Sequence, residues 1–342
     1  MILGLLLAAL MACGVEQQAE PVTIRLMTHD SFDIGQETMA EFTEVSGIEV
    51  EIFKAGDGGA VVNKAILAKD DPLADVLFGV DNTFLSRALE NDILVPYHSP
   101  QLEQIKNSLR LDPENRALPV DFGDVCLNYD KAWFAQSNLE PPTTLDELVD
   151  PAYSGLTVVE NPATSTPGLA FLLATISTFG EEGYLDYWQK LVDNDVLVAD
   201  GWEAAYYGAF SAASDGDRPI VVSYASSPPA EVFFAEEPLE EGPTAAVVGD
   251  GSCFRQIEFV GILKGTDHEE QAQQLVDFLL AKTFQEDIPL HMFVFPANET
   301  AELPEVFTKF SVVPEQPAMV SPEDISANRE TWIEAWTNTV LR

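Results

Sequence analysis

Positive charge is what this chain lacks most. Only 17 of its 342 residues are Lys or Arg, against 57 Asp and Glu, giving a formal net charge of −40 and a pI near 4.1. Phosphate backbones are held by clustered Lys and Arg, so unaided binding to nucleic acid is disfavoured. Histidine is scarce too, at positions 29, 98, 268 and 291, with no metal-ligand spacing. No phosphate loop or dinucleotide fingerprint is present, and Gly56-x-Gly58-Gly59 is too short a match to count. No apolar run reaches the roughly 18 residues of a membrane-crossing helix. Internal repeats and low-complexity tracts are absent as well. Neither a cofactor nor a metal is expected.

What remains is an ordinary globular composition, 46% apolar and 22% charged. At roughly 150 residues per domain, the length predicts a soluble protein of about two domains. Its acidic field attracts cations and keeps the protein dispersed.

The apolar run Ile2 to Ala12 has the length of a signal-peptide core, and Leu10-Met11-Ala12-Cys13 resembles a bacterial lipobox. Residues 1–12 are therefore expected to be removed, Cys13 to carry lipid, and 13–21 to form a polar tether. The first basic residue is Arg25, so the usual Lys or Arg at the start of a signal is missing. The competing reading is a buried first element ending in an ordinary Cys.

Val22 to Met27 and Ile48 to Phe53 read as strands, separated by a helix carrying Met39, Phe42 and Val45 and stopped at Gly47. A helix with Val62, Ala65 and Ile66 then leads to the strand Ala74 to Val80, which completes a βαβαβ unit and implies a parallel sheet. Its loops at 28–33, 56–59 and 81–83 form the expected ligand edge. Beyond the long extended segment Leu118 to Tyr129 the alternation repeats, with strands at 156–160, 196–199 and 220–224. Gly251 to Leu263 is extended again, Thr266-x-x-Glu269 reads as a capping box, and the last helix carries Ile325, Trp332, Ile333, Trp336 and Val340 on one stripe. Two α/β units joined by more than one extended segment predict two lobes around a cleft with hinge strands between them. One lobe is assigned residues 22–119 plus 257–295, the other 120–256 plus 296–342.

Asn161 to Gly168 precedes an apolar helix. Thr166 is placed to cap it, with Pro167 at the first helical position, so the hydroxyls of Ser165 and Thr166 with free N–H groups form a site for an anion or a hydroxyl oxygen. A plain cap without a ligand is the alternative. Gly201-Trp202 and Ser223-Tyr224-Ala225-Ser226-Ser227-Pro228 put aromatics beside small polar groups at strand ends, which suits a flat, partly polar ring. Asp57-Gly58 and Asp81-Asn82 add carboxylates for an amine or a cation. Tyr206-Tyr207, adjacent on a helix, point about 100° apart and read as one core and one surface residue rather than a ferric-ion pair.

On these residues the sequence resembles the periplasmic thiamine-binding proteins of ABC transporters. The likeness rests on Thr28-His29-Asp30-Ser31-Phe32, Gly79-Val80-Asp81-Asn82, Thr164-Ser165-Thr166-Pro167-Gly168, Gly201-Trp202, and Ser223-Tyr224 to Ser227-Pro228. It implies a two-lobed type II binding-protein fold, each lobe a mainly parallel sheet flanked by helices. It also implies a monomer that delivers thiamine or its phosphates to a permease and touches the membrane only through its lipid. The contacts implied are Asp57, Gly58, Ser165, Thr166, Trp202, Tyr224, Ala225, Ser226 and Ser227. Where the family carries Tyr this chain has His29, Asp124 and Ala230, and Phe293 stands in place of a Trp. His29, Asp124 and Phe293, with Asp81, complete the expected site; Asp124 would offset lost cation–π attraction by direct charge. The alternatives are another small cation, such as a polyamine or ferric ion, on the same fold.

With Cys13 lipidated, Cys126 and Cys253 form an even pair, each in a proposed hinge segment, and an extracytoplasmic setting favours a disulfide between them. The rival is a thiamine-degrading transferase with Cys126 as nucleophile and Glu258 as base.

Overall fold

The computed structural model describes residues 22–342; the expected signal segment, Cys13 and the tether lie outside them. In chain order, β1 (Val22–Thr28), α1 (Gln36–Ser46), β2 (Ile48–Lys54), α2 (Gly58–Leu67), β3 (Val76–Asp81), α3 (Leu85–Glu90) and β4 (Leu94–Val95) precede the long β5 (Leu118–Asp130). Then come α4 (Lys131–Ser137), β6 (Thr157–Glu160), α5 (Thr166–Asp193), β7 (Leu197–Ala199), α6 (Trp202–Tyr206), β8 (Ile220–Tyr224), α7 (Pro228–Phe233) and β9 (Thr244–Val247). The chain ends with β10 (Phe254–Leu263), α8 (Glu269–Leu280), α9 (Lys282–His291), β11 (Phe295–Pro296), α10 (Glu305–Phe310) and α11 (Pro322–Val340).

The main sheet runs β2-β1-β3-β10-β5-β8-β6-β7. β1 is parallel to β2 and β3 at one end, and β6 is parallel to β7 and β8 at the other. Two antiparallel strands join the ends. β5 pairs with β10 through Leu118–Val125 and with β8 through Val125–Tyr129, while β10 continues onto β3. Each is apolar or buried along nearly its whole length, as a strand covered on both faces must be. They are the hinge strands between the lobes, in the two segments read as extended from the sequence.

The parallel units form where expected. Gly47 ends α1 in the left-handed region (φ 72°), its N–H returned to the Thr43 carbonyl at 2.9 Å. α11 buries Ile325, Trp332 and Trp336, with Trp336 edge-on to Trp188 of α5 at 5.4 Å. Two helix starts differ from the sequence reading. Ser165, not Thr166, caps α5, with Thr166 and Pro167 inside the first turn. Thr266 forms no capping box with Glu269: its hydroxyl accepts the His268 N–H and donates to Asp75, and α8 starts without a side-chain cap. Among the described residues no helix is long and apolar enough to cross a membrane.

Candidate functional site

The loops that follow β1, β2, β6, β7 and β8, with residues 292–294 ahead of β11, converge on a cavity of about 660 Å³. That volume is ample for a small heterocycle. Of the sequence-predicted residues, His29, Asp57, Gly58, Thr166, Trp202, Tyr224, Ser227 and Phe293 line it.

Asp57 joins the β2–α2 loop to the starts of α5 and α6. Its Oδ1 accepts the N–H of Gly58 at 2.6 Å and of Thr166 at 3.2 Å, and its Oδ2 accepts the N–H of Trp202 at 3.1 Å. The first turn of α5, read as an anion site, is thus met by a carboxylate of the chain itself. Burial pushes the Asp57 carboxyl above its ordinary value, and the three N–H groups pull it back part of the way. Gly58 is required by this approach, since a Cβ there would stand 2.6 Å from Thr166 Cγ2.

The aromatic wall comes from α6 and β8. Trp202 stacks on Tyr206 at 4.8 Å and 21°, meets Tyr207 edge-on at 5.5 Å, and donates Nε1–H to Ser223 Oγ at 3.0 Å. Ser223 and Ser227 share a hydrogen bond of 2.9 Å, and the Tyr224 hydroxyl donates to Gln256 Oε1 at 3.0 Å. Phe293 lies 5.6 Å from Phe234, and both rings line the cavity.

The floor is acidic. Glu258 of β10 stands in register with Asp81 on β3 and with Asp121 on β5, so three carboxyl groups share one face of the sheet. Burial pushes Asp81 up to about 7, with Glu258 adding to the rise despite the Thr83 hydrogen bond. Burial and then Glu258 hold Asp121 well above the usual range, and neither of its carboxyl oxygens has a partner among the described residues. His29 sits over this row, its Nε2 3.5 Å from Glu258 Oε2. Burial, the largest single influence, lowers the His29 pKa, but the charge and contact of Glu258 together with the charge of Asp57 outweigh it and leave it raised.

Five predicted residues do not reach the cavity. Asp81 is fully buried, its Oδ1 accepting from Thr83 N, Thr83 Oγ1 and Phe84 N at the start of the β3–α3 turn. Asp124 is buried against Arg255, which grips it with Nε at 3.0 Å and a terminal nitrogen at 2.8 Å, so its charge offsets a guanidinium rather than facing the cleft. Ser165 turns inward to accept the Gly168 N–H at 3.4 Å. Ala225 packs with Cys126 and Cys253, and Ser226 is buried beside it. The two cysteines form a disulfide that ties β5 to the residue preceding β10. Cys126 is fully buried, outside the cavity and without a free thiol, which removes the nucleophile of the transferase reading.

Sequence reasoning missed Glu258 as a lining residue of a binding cleft. It also passed over Tyr206 and Tyr207, which are buried and exposed as read, yet both border the cavity because the short α6 stands at its wall. The signal for Glu258 was available: an acid inside an otherwise apolar strand. Among the described residues no group of acidic, His or Cys side chains has metal-binding geometry.

The family model described as bacterial extracellular solute-binding protein matches residues 71–318. The thiamine-binding periplasmic protein of Escherichia coli (strain K12) is 28% identical over 98% of both chains. That of Brucella suis is 28% identical over 94% of this chain and 92% of its own. A solved periplasmic thiamin binding protein superposes with a TM-score of 0.83 at 26% identity, covering 94% of this chain and 96% of that one. The architecture is the two-lobed type II binding-protein fold.

Proposed function

The chain belongs to the bacterial extracellular solute-binding proteins, and from that premise we propose that its cleft takes thiamine, or a phosphate of it, for delivery to an ABC permease. The protein acts outside the cytoplasm as the solute-binding component of such a system. The observation that carries the thiamine reading is the composition of the cleft: the stacked Trp202–Tyr206 pair and Tyr224 stand above a floor holding the buried Glu258 carboxylate. Thiazolium is a flat cation, which an aromatic face attracts and a carboxylate neutralises, while an aminopyrimidine stacks and exchanges hydrogen bonds with groups such as Ser227 and Tyr224. Among the described residues the one lysine at the cavity, Lys54, is turned to the Asp30 carbonyl at 2.7 Å.

Closure is where the binding energy goes, with Asp57 joining the two lobes across the ligand. The proposed contacts are Asp57, Gly58, Thr166, Trp202, Tyr224, Ser227, His29 and Phe293. Lobe boundaries near 119/120 and 256/257, where β5 and β10 pass between lobes, and a lipid on Cys13 complete the reading. No bond is made or broken in the cycle.

Calorimetry with thiamine, its mono- and diphosphate, spermidine and ferric citrate tests it. One thiamine or thiamine phosphate per chain is expected, and native mass spectrometry of the purified protein should show it retained. Binding of spermidine or iron without any thiamine species would overturn the assignment.

A further inference from the structure

Four observations meet at His29. Its ring and the Glu258 carboxylate both line the cavity, 3.5 Å apart, with side chains only 13% and 11% exposed. The ring is fixed in place: Phe78 lies 5.9 Å away, Phe32 meets it at 6.5 Å and 79°, and it lies so close over Gly79 (φ +91°) that a Cβ there would be 2.4 Å from His29 Cδ2. His29 Nε2 has no hydrogen-bond partner among the described residues. Finally, among the described residues Glu258 is the buried lining carboxylate that no backbone N–H neutralises; the Gln256 side chain donates to it at 3.3 Å. Asp57, by contrast, is committed to three backbone donors.

We propose that His29 is a built-in counter-cation: in the free protein its imidazolium balances Glu258, and a cationic ligand takes over that role, so that one proton leaves His29 for each ligand bound. The idea rests on the cleft being a cation site, as proposed above, and adds to it a specificity determinant and a direction of pH dependence. The raised His29 pKa agrees, since the proton is held there by Glu258 against the penalty of burial. A ligand cation beside Glu258 repels that proton and removes the attraction that kept it.

Other charges face the pair and bound the effect. Asp57 raises and Lys54 lowers the His29 pKa from the β2 side. Asp81 on β3 and Asp121 on β5 flank Glu258, and Tyr224 on β8 feels all of these acids. Asp30 is tied to the Gly56 N–H at 3.0 Å, and Asp33 pairs with His291 of α9, which also contacts Asp287. Asp124 and Arg255 neutralise one another. Asp81 also titrates near neutrality, so the test must separate it from His29.

Thiamine binding is measured by calorimetry between about pH 6 and 8.5 in phosphate and in HEPES, whose different ionisation heats report proton exchange. Up to one proton released per thiamine is expected, with affinity weakening toward about tenfold per pH unit on the acid side of the His29 pKa. His29→Gln should flatten that dependence, and Asp81→Asn should keep it. Independently of ligand, the His29 imidazole titration followed by NMR should move to lower pH in Glu258→Gln. Proton exchange that is absent in the native protein, that persists in His29→Gln or that vanishes in Asp81→Asn overturns the proposal while leaving thiamine binding intact. If no thiamine binds at any pH, the functional reading itself fails, and the NMR comparison still decides whether Glu258 holds the His29 proton.

Discussion

Asp57 Oδ2 accepts the backbone N–H of Trp202 at 3.1 Å, across 145 residues of sequence and from one lobe to the other. Its Oδ1 does the same for Thr166, so one carboxylate spans the starts of α6 and α5. Parting the two ends of the sheet, β2 on one side and β6–β7 on the other, would break these bonds. The carboxylate is therefore a latch, and the charge it carries is already matched inside the protein.

Asp57→Asn keeps the shape but replaces one acceptor with an N–H₂ that meets a backbone donor. Losing a charged hydrogen bond and leaving N–H groups unpaired costs about 2 kcal/mol, roughly thirtyfold in affinity. X-ray scattering of the unliganded variant should show a larger radius of gyration than the native protein, with weaker thiamine binding by calorimetry. Unchanged scattering with unchanged affinity would mean that the latch contributes nothing to closure.

Buried acids make the fold more stable in mild acid than in mild base. Asp81 holds its proton up to about pH 7 in the folded state, against a usual 3.8. Its stabilising contribution is thus complete below about pH 4 and is lost as pH rises through about 7, a change on the order of a few kcal/mol. Asp121 and Glu160, both raised by burial, shift stability in the same direction. Asp112 opposes them at the acid end, because Arg116 overcomes its burial and holds it low. The urea midpoint should be higher at pH 5 than at pH 8. Asp81→Asn should narrow that gap by stabilising the protein at pH 8, and an equal gap in the variant would assign it to other groups.

The Cys126–Cys253 bridge closes a loop of 127 residues. A loop of that order constrains the unfolded chain by about 5 kcal/mol, and measured effects of removing such bridges run at about 2–5 kcal/mol. Cys126→Ser with Cys253→Ser should lower the unfolding midpoint accordingly while thiamine still binds, since neither sulfur reaches the cavity. Thiol titration of the unfolded, unreduced protein should find neither residue free. Two free thiols there would contradict the bridge.

Ser165 separates what the sequence makes legible from what it hides. The Ser-Thr-Pro-Gly run marks a helix start with certainty of place, yet the cap falls one residue earlier than Thr166, because which hydroxyl turns inward depends on β6 and on Asp57 arriving from the other lobe. Ser165→Ala should therefore cost about 1 kcal/mol of stability and leave thiamine affinity within about twofold, which denaturation and calorimetry on the same sample decide. The same limit explains Asp81 and Asp124. A turn Asp and a strand Asp look like ligands in sequence, and only the pairing of β3, β10 and β5 shows that one caps a buried turn and the other faces Arg255. By contrast, the hinge strands were legible because β5 and β10 are long extended runs buried on both faces, and α11 because its apolar stripe keeps the helical period. The His29–Glu258 contact has no local signature, since it joins a loop after the first strand to the last long strand.

Trp202 carries the cation argument most directly. Its indole stacks on Tyr206 and is oriented by the bond to Ser223, so one ring edge is fixed while the ring borders the cavity. A cation over that face gains about 0.5–2 kcal/mol in addition to stacking area. Trp202→Ala should cost more than this, because the pocket also loses packing and Ser223 loses its donor. Trp202→Phe keeps an aromatic face with a weaker quadrupole and no N–H, so its loss should be smaller than that of Ala. A thiamine analogue with an uncharged ring in place of thiazolium should bind the native protein weakly and respond less to Trp202→Phe than thiamine does. Calorimetry on both proteins with both ligands isolates the pairwise contribution as a double difference. A double difference near zero would leave Trp202 as packing alone and transfer the cation's recognition to Glu258.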